Sequence, residues 1–298
     1  MNHIRSDIEA VEKNTALYDE KRFVSRVEAI DFIEFNVIDR IEGLLQTNHA
    51  SAELAAWKEA AESVKRRLEA IDHALFQRLR ADIRMGGCTG TTFKTLVEDY
   101  VRPDASGRRQ QDGSGYDSLD LFINGLLLTQ ALPSETKSRE PEMVYYQQTP
   151  ARIIFELAEK AQLTEDDAFY DLGSGLGHVP ILLNLLSGAT AKGIEFEPAY
   201  CDYARACAAD LNLPRVEFIN ADARAADYAA GTVFFMYTPF RGRILQDVLA
   251  KLRGESQSRR IRLFTYGPCT SHISEQSWLM RIDQHADYPY KLGVFSSR

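Results

Sequence analysis

From Leu54 onward, apolar side chains recur at Trp57, Ala61, Val64, Leu68, Ile71, Leu75 and Leu79, mostly in steps of three and four. That spacing predicts one long amphipathic helix with Ser51 as its N-cap. A second stripe precedes it through Val27, Ile30, Ile33, Val37, Ile41 and Leu44, and the polar turn at 47–49 predicts an antiparallel helical hairpin. The glycines of MGG at 85–87 stop the helix; a short helix follows over 92–101, then a polar loop at 103–115 (PDASGRRQQDGSG) and an apolar helix over 117–130. Residues 1–140 therefore read as an all-α N-terminal domain, suited to a scaffold, a homodimer surface or a cap over a substrate.

Beyond the linker at 133–141 the rhythm changes. Apolar runs at 168–172, 191–194, 216–219, 233–237 and 261–266 alternate with helical stretches at 179–186, 198–211 and 242–252. Strand–helix alternation implies a parallel sheet covered on both faces, and uninterrupted apolar strands fit burial on both sides. Segments 278–284 and 291–295 flank YPY at 288–290 and predict a terminal hairpin. Residues 141–298 thus form an α/β, Rossmann-like domain whose mainly parallel sheet ends in an antiparallel hairpin.

Composition restricts the partners more than the fold. Net charge is −8, with acids exceeding bases in both regions, which argues against a protein whose main task is holding a phosphate backbone. One basic run stands out: Arg241, Arg243, Lys251, Arg253, Arg259, Arg260 and Arg262 read as a solvated helix and loop or as a patch for an anion. The N-terminus (MNHIRSDIEAVEK) has no apolar signal core and no run is long enough to span a bilayer, so a cytoplasmic location is expected. Four cysteines without a CxxC pair suggest neither a disulfide framework nor a metal site.

The first strand runs into YDLGSGLGH at 170–178, with glycines at Gly173, Gly175 and Gly177. Such a loop between strand and helix lets the backbone approach a ligand closely. A dinucleotide site would place a pyrophosphate at the helix N-terminus. Asp171, two residues before the first glycine, would repel a phosphate and suits an ammonium group. S-adenosylmethionine (SAM) carries an amino group and a sulfonium and no phosphate, so the acid favours SAM over NAD. The next strand ends in Glu195, placed to accept from both ribose hydroxyls, with Phe196 beside it and Glu197 as a weaker candidate. The third leads to Asp222 and Ala223, where a carboxylate can accept from the adenine amino group and an amide can reach a ring nitrogen.

With these three motifs in order, residues 150–266 resemble a class I SAM-dependent methyltransferase. The segment PEMVYYQQTP at 141–150, followed by DLGSGLGHV, is similar to the core of the DOT-type histone lysine methyltransferases. That resemblance implies a segment folded over the methionine moiety, with Tyr145, Gln148 and Thr149 as cofactor contacts, Ser174 within the glycine loop and S-adenosylhomocysteine as product. The family's asparagine-rich fourth-strand motif is absent, and FFMYTPF stands at 234–240 instead.

Ligands in this fold lie across the carboxyl ends of the strands, which puts the end of the fourth strand beside the transferred methyl. Tyr237, Thr238 and Phe240 are therefore the expected catalytic contacts, with Thr238 offering a hydroxyl and Phe240 a ring face. YTPF resembles in part the [DNS]-P-P-[YFW] motif of amino-methylating enzymes, which points to an amine among small-molecule or protein side-chain acceptors. His178, His272 and Tyr266 are the candidate bases. The alternatives are a SAM-binding protein without transferase activity that acts through its helical domain, and an aminopropyltransferase; the latter lacks an acid just after the fourth strand.

Overall fold

The computed structural model describes residues 2–47, 51–101, 117–283 and 288–298. The chain divides into two compact units, one built from Met1–Arg80 and Asp117–Leu126 with the segment that starts at Thr95, the other from Ala81–Lys94 and Leu127–Arg298. The loop expected at 103–115, and Asn48 and His49 of the expected turn, lie outside the described residues.

The first unit is helical. Helix α1 (Asn2–Lys13) and a 3-10 turn (Thr15–Tyr18) precede α2 (Phe23–Asp31), which continues through a π-helical segment (Phe32–Ile38) into α3 (Asp39–Thr47). The long stripe forms α4 (Ala52–Arg84), followed by α5 (Thr91–Val101) and α6 (Ser118–Leu127). Ion pairs Glu42–Lys58, Glu34–Lys65 and Arg26–Asp72, and Glu20–Arg78 from the turn before α2, descend one arm of the hairpin as they climb the other, which is the antiparallel arrangement the stripes predict. Two α-helical turns hold about seven residues, and 58, 65 and 72 keep that step on α4. Their partners at 42, 34 and 26 are eight apart, along a stretch that contains the π-helical segment, whose wider turns take more residues. Ile33, Val37 and Ile41 meet Leu54, Ala61, Val64 and Leu68 in the apolar seam. Near its end, Phe23, Phe76 and Phe122 pack edge to face with centroids 5.2–5.8 Å apart.

The second unit carries the sheet. After α7 (Ala151–Ala161) come β1 (Ala168–Leu172), α8 (His178–Ser187), β2 (Thr190–Glu195), α9 (Pro198–Asp210), β3 (Val216–Asn220), β4 (Val233–Tyr237), α10 (Gly242–Ser256), β5 (Arg262–Tyr266), α11 (Cys269–Ser274), β6 (Leu279–Arg281) and β7 (Gly293–Ser297). Strand order is β3-β2-β1-β4-β5-β7-β6; the first five are parallel, while β7 runs antiparallel between β5 and β6. Phe234, Met236 and Leu263 face Ile244, Val248 and Leu252 of α10. Phe169, Phe235 and Phe264, with the opposite parity, are equally buried, so both faces are covered. Strand order reverses between β1 and β4, and in such sheets a crevice opens at the carboxyl ends at that point. Order, direction and the antiparallel β7 define a class I methyltransferase-like fold.

Four of the seven residues in the basic run are structural. Lys251 donates to the carbonyls of Arg224 and Ala226, and Arg259 to those of Gly231 and Tyr228. Arg260 donates to Ser296 Oγ, and Arg262 to the Ala161 carbonyl and Asp167. Arg259 to Arg262 lie at the amino end of β5, the edge of the sheet opposite the crevice.

Candidate functional site

A cavity of about 430 Å³ opens at the carboxyl ends of β1 to β5, within the size range of small-ligand sites. Its wall includes Tyr145, Thr149, Asp171, Gly173, Ser174, Glu195, Phe196, Asp222, Ala223, Tyr237, Thr238 and Phe240. Of the expected site residues, Gln148, Gly175 and Gly177 stand outside the wall. Gln147 takes the place expected of Gln148. The Gly175 amide donates to Glu195 Oε2 at 2.7 Å, and the Tyr146 ring covers the side where a Cβ would project. Gly177 is the N-cap of α8 and packs on Phe218 and Ala204.

Two carboxylates sit deep in the crevice. Asp171, at the end of β1, is 3% exposed, lines the cavity and has no hydrogen-bond or ion-pair partner among the described residues. Burial, and secondarily the Glu195 charge, push its pKa well above the usual carboxylate value. Glu195, at the end of β2, accepts from the amides of Gly175 and Glu197, and burial raises its pKa as well. Between them, Ser174 Oγ is buried without a hydrogen-bond partner. An unpaired hydroxyl and an unpaired carboxylate lining one cavity are the signature of polar groups that a ligand completes. Gly193, opposite Asp171 in the β1–β2 register, leaves the room Ser174 occupies.

Asp222, at the end of β3, is already engaged. Arg224 binds both its oxygens at 2.6–3.2 Å and reaches Glu140 as well. The Arg224 hydrogen bond is the main cause that lowers the Asp222 pKa. The Ala223 amide, by contrast, has no acceptor among the described residues. Lys137 Nζ stands 3.7 Å from the centroid of the Phe196 ring.

A strap formed by residues 134–146 crosses this end. Glu197 holds it, accepting from Thr136 Oγ1 at 2.5 Å and the Lys137 amide at 2.8 Å while capping α9 through the Ala199 amide. These hydrogen bonds outweigh the desolvation that opposes them and hold the Glu197 pKa down at about 2. Further along, the Val144 amide donates to the Pro239 carbonyl, Met143 pairs with Phe240, and the Arg139 guanidinium lies 3.3 Å from the centroid of the Tyr145 ring. Tyr145 itself is 75% exposed.

The β4 exit is strained. Thr238 has φ +39°, rare for a β-branched residue. Its hydroxyl donates to the Tyr266 carbonyl and accepts from the Cys269 amide, both at 3.1 Å, tying the exits of β4 and β5 together. The hydroxyl expected to meet an acceptor is thus committed to the backbone. Gly267, at φ +88°, permits this contact, since a Cβ there would lie 2.6 Å from Thr238 Oγ1. Pro239 sits where a Cβ on Gly173 (φ +81°) would project, so the glycine loop and the β4 exit interlock. Phe240 is 5% exposed and packs with the core under α10, leaving little ring face for a ligand.

Three parts of the wall have no local signature in the sequence. Tyr146 packs beside Tyr200 with the ring planes tilted by 56°. Pro268, Cys269 and His272 follow β5, and Tyr290 arrives because the Gly267 amide donates to the Pro289 carbonyl at 2.6 Å. Of the candidate bases, His178 is buried with its pKa depressed to about 4 by desolvation, and Tyr266 is buried with its pKa raised by the same cause. His272 is exposed on the cavity wall.

A family model described as "Histone methylation protein DOT1" matches residues 139–233, the stretch from the strap to the start of β4. No curated protein matches the chain. Among solved structures, the chain is similar to an RNA methyltransferase from Salinibacter ruber in complex with S-adenosyl-L-homocysteine (24% identity, 51% of this chain and 92% of that one, TM-score 0.40). It is also similar to a ribosomal protein L11 methylase from Lactobacillus delbrueckii subsp. bulgaricus (13%, 50% and 78%, 0.39). A third is precorrin-6y C5,15-methyltransferase from Geobacter metallireducens (14%, 52% and 92%, 0.39). At this level of similarity none of them bears on what the present chain acts upon.

Proposed function

We propose that this chain binds SAM in the crevice and transfers its methyl group to a small-molecule or protein side-chain acceptor, releasing S-adenosylhomocysteine. The observation that carries this reading is Asp171: a buried carboxylate without a partner is costly unless a cation completes it. SAM supplies that cation as its ammonium group, and an activated methyl as its chemistry. Glu195 and Ser174 are assigned to the ribose and methionine portions, the Ala223 amide to an adenine ring nitrogen, and Tyr145 and Thr149 to the segment over the methionine. Asp222 is assigned to holding Arg224 and the strap, since the arginine already occupies its oxygens. Tyr237 flanks the reacting methyl, and Thr238 positions it. Aminopropyl transfer is disfavoured, because Asp247, the acid nearest in sequence after β4, lies within α10 and outside the cavity wall.

Titration calorimetry tests this reading. SAM and S-adenosylhomocysteine bind the wild type, and Asp171→Ala or Glu195→Ala weakens both by at least about 100-fold, the loss expected when a charge-assisted contact of ~3 kcal/mol is removed. Wild-type affinity in either variant would overturn it. Methyl-labelled SAM incubated with fractionated extract then separates transfer from binding alone: binding without label in any fraction identifies a SAM-binding protein rather than a transferase.

A further inference from the structure

The cavity is electrically divided by the order of the strands. Asp171, Glu195 and Asp222 stand at the ends of β1, β2 and β3, and the remaining wall carboxylates, Glu135 and Glu197, belong to the strap and its anchor. The segments leaving β4 and β5 contribute no carboxylate to the wall. They contribute Arg241 and His272, together with an aromatic row. Tyr237 meets Tyr266 at 4.8 Å between centroids, and Tyr266 meets Tyr290 at 6.2 Å. Tyr290 is 43% exposed and shares the cavity wall with Tyr237.

Arg241 makes no side-chain hydrogen bond or ion pair among the described residues. The carboxylate whose charge it feels, Glu142, lies outside the wall and accepts from the amides of Arg243 and Ile244 at the start of α10. A guanidinium that shares the cavity wall with Tyr237 and Tyr290 and is hydrogen-bonded to no carboxylate among the described residues is suited to a planar anion.

We propose that the β4–β5 end of the cavity is an acceptor subsite for a flat aromatic acid, its ring lying against Tyr237 and Tyr290 and its acidic group paired with Arg241. This assignment rests on the cofactor occupying the acidic end. It departs from the amine that the partial motif match in YTPF suggests. Ring faces attract cations too, but an ammonium here would meet Arg241, while Glu142 lies outside the wall and is engaged by amides at the start of α10.

The experiment titrates wild-type protein saturated with S-adenosylhomocysteine with benzoate, 4-hydroxybenzoate, benzylamine and benzyltrimethylammonium, read by calorimetry. The two acids bind at least tenfold more tightly than the two cations. Arg241→Ala removes that preference, Arg241→Lys restores part of it, and Tyr290→Ala weakens all four probes. S-adenosylhomocysteine affinity, measured in each variant, reports an intact fold. Equal or tighter binding of the cations, or acid binding indifferent to Arg241→Ala, overturns the subsite while leaving the cofactor reading standing. Failure of S-adenosylhomocysteine to bind the wild type overturns both.

Discussion

Asp171 and His178 are both buried at the ends of one glycine loop, and their burial acts on stability with opposite sign. An acid with a raised folded pKa is a burden above that pKa, where the native state buries a charge the unfolded chain would solvate, and none below the ordinary carboxylate value, where both states are protonated. Asp171→Asn is therefore expected to stabilise the free protein at neutral pH while abolishing cofactor binding; the gain, about 1–3 kcal/mol by removal of an uncompensated charge, fades as pH falls. His178 behaves the other way. Its folded pKa of about 4 lies below the ordinary histidine value of 6.5, so the unfolded chain binds a proton first and stability drops as pH falls from 6.5 to 4. Chemical denaturation across that window should show a loss of roughly 3 kcal/mol that His178→Gln removes. An acid limb unchanged in His178→Gln would assign the loss to other groups. Sequence alone marks Asp171 by its place before the glycines, but not its isolation, which depends on every neighbour that fails to reach it.

Among the elements, the strand cores were plain from uninterrupted apolar runs, and β1 and β4 begin and end where those runs do. Two features were not. The π segment within the α2–α3 helix leaves the apolar stripe nearly intact and becomes visible only as an eight-residue step against seven on α4. The placement of β7 between β5 and β6 depends on long-range pairing that a terminal pair of apolar runs does not encode. The β4 exit shows the same division: YTPF ends a strand legibly, whereas the turn of Thr238 into positive φ is fixed by Tyr266, Gly267 and Cys269, about thirty residues away. Thr238→Val keeps the shape of the side chain but leaves the Cys269 amide and the Tyr266 carbonyl without their partner. It should cost about 1–3 kcal/mol in denaturant melts, and Thr238→Ser should recover most of it. Equal melting of Val and Ser variants would show that the hydroxyl clamp contributes nothing.

At the scale of the whole molecule, the sheet sorts charge. Carboxylates gather where β1 to β3 end, aromatic rings and a guanidinium where β4 and β5 end, and four of the seven basic residues between 241 and 262 hold backbone or side chains together elsewhere. The formal charge of −8 hides this sorting. The strap adds a second connection, since Glu197 fastens residues 136 and 137 while its own amide donates to Glu195.

The isolation of Asp171 also reaches beyond binding. A ligand that completes only the native state raises its stability by about 2.7 kcal/mol at a hundredfold excess over Kd, and in the free form alone the Asp171 carboxyl stands without a partner. The half-life under limited proteolysis should lengthen severalfold when S-adenosylhomocysteine is added to wild type and stay unchanged in Asp171→Asn. In a living cell, that difference would make the abundance of the protein follow the supply of its own cofactor, with the empty molecules cleared first.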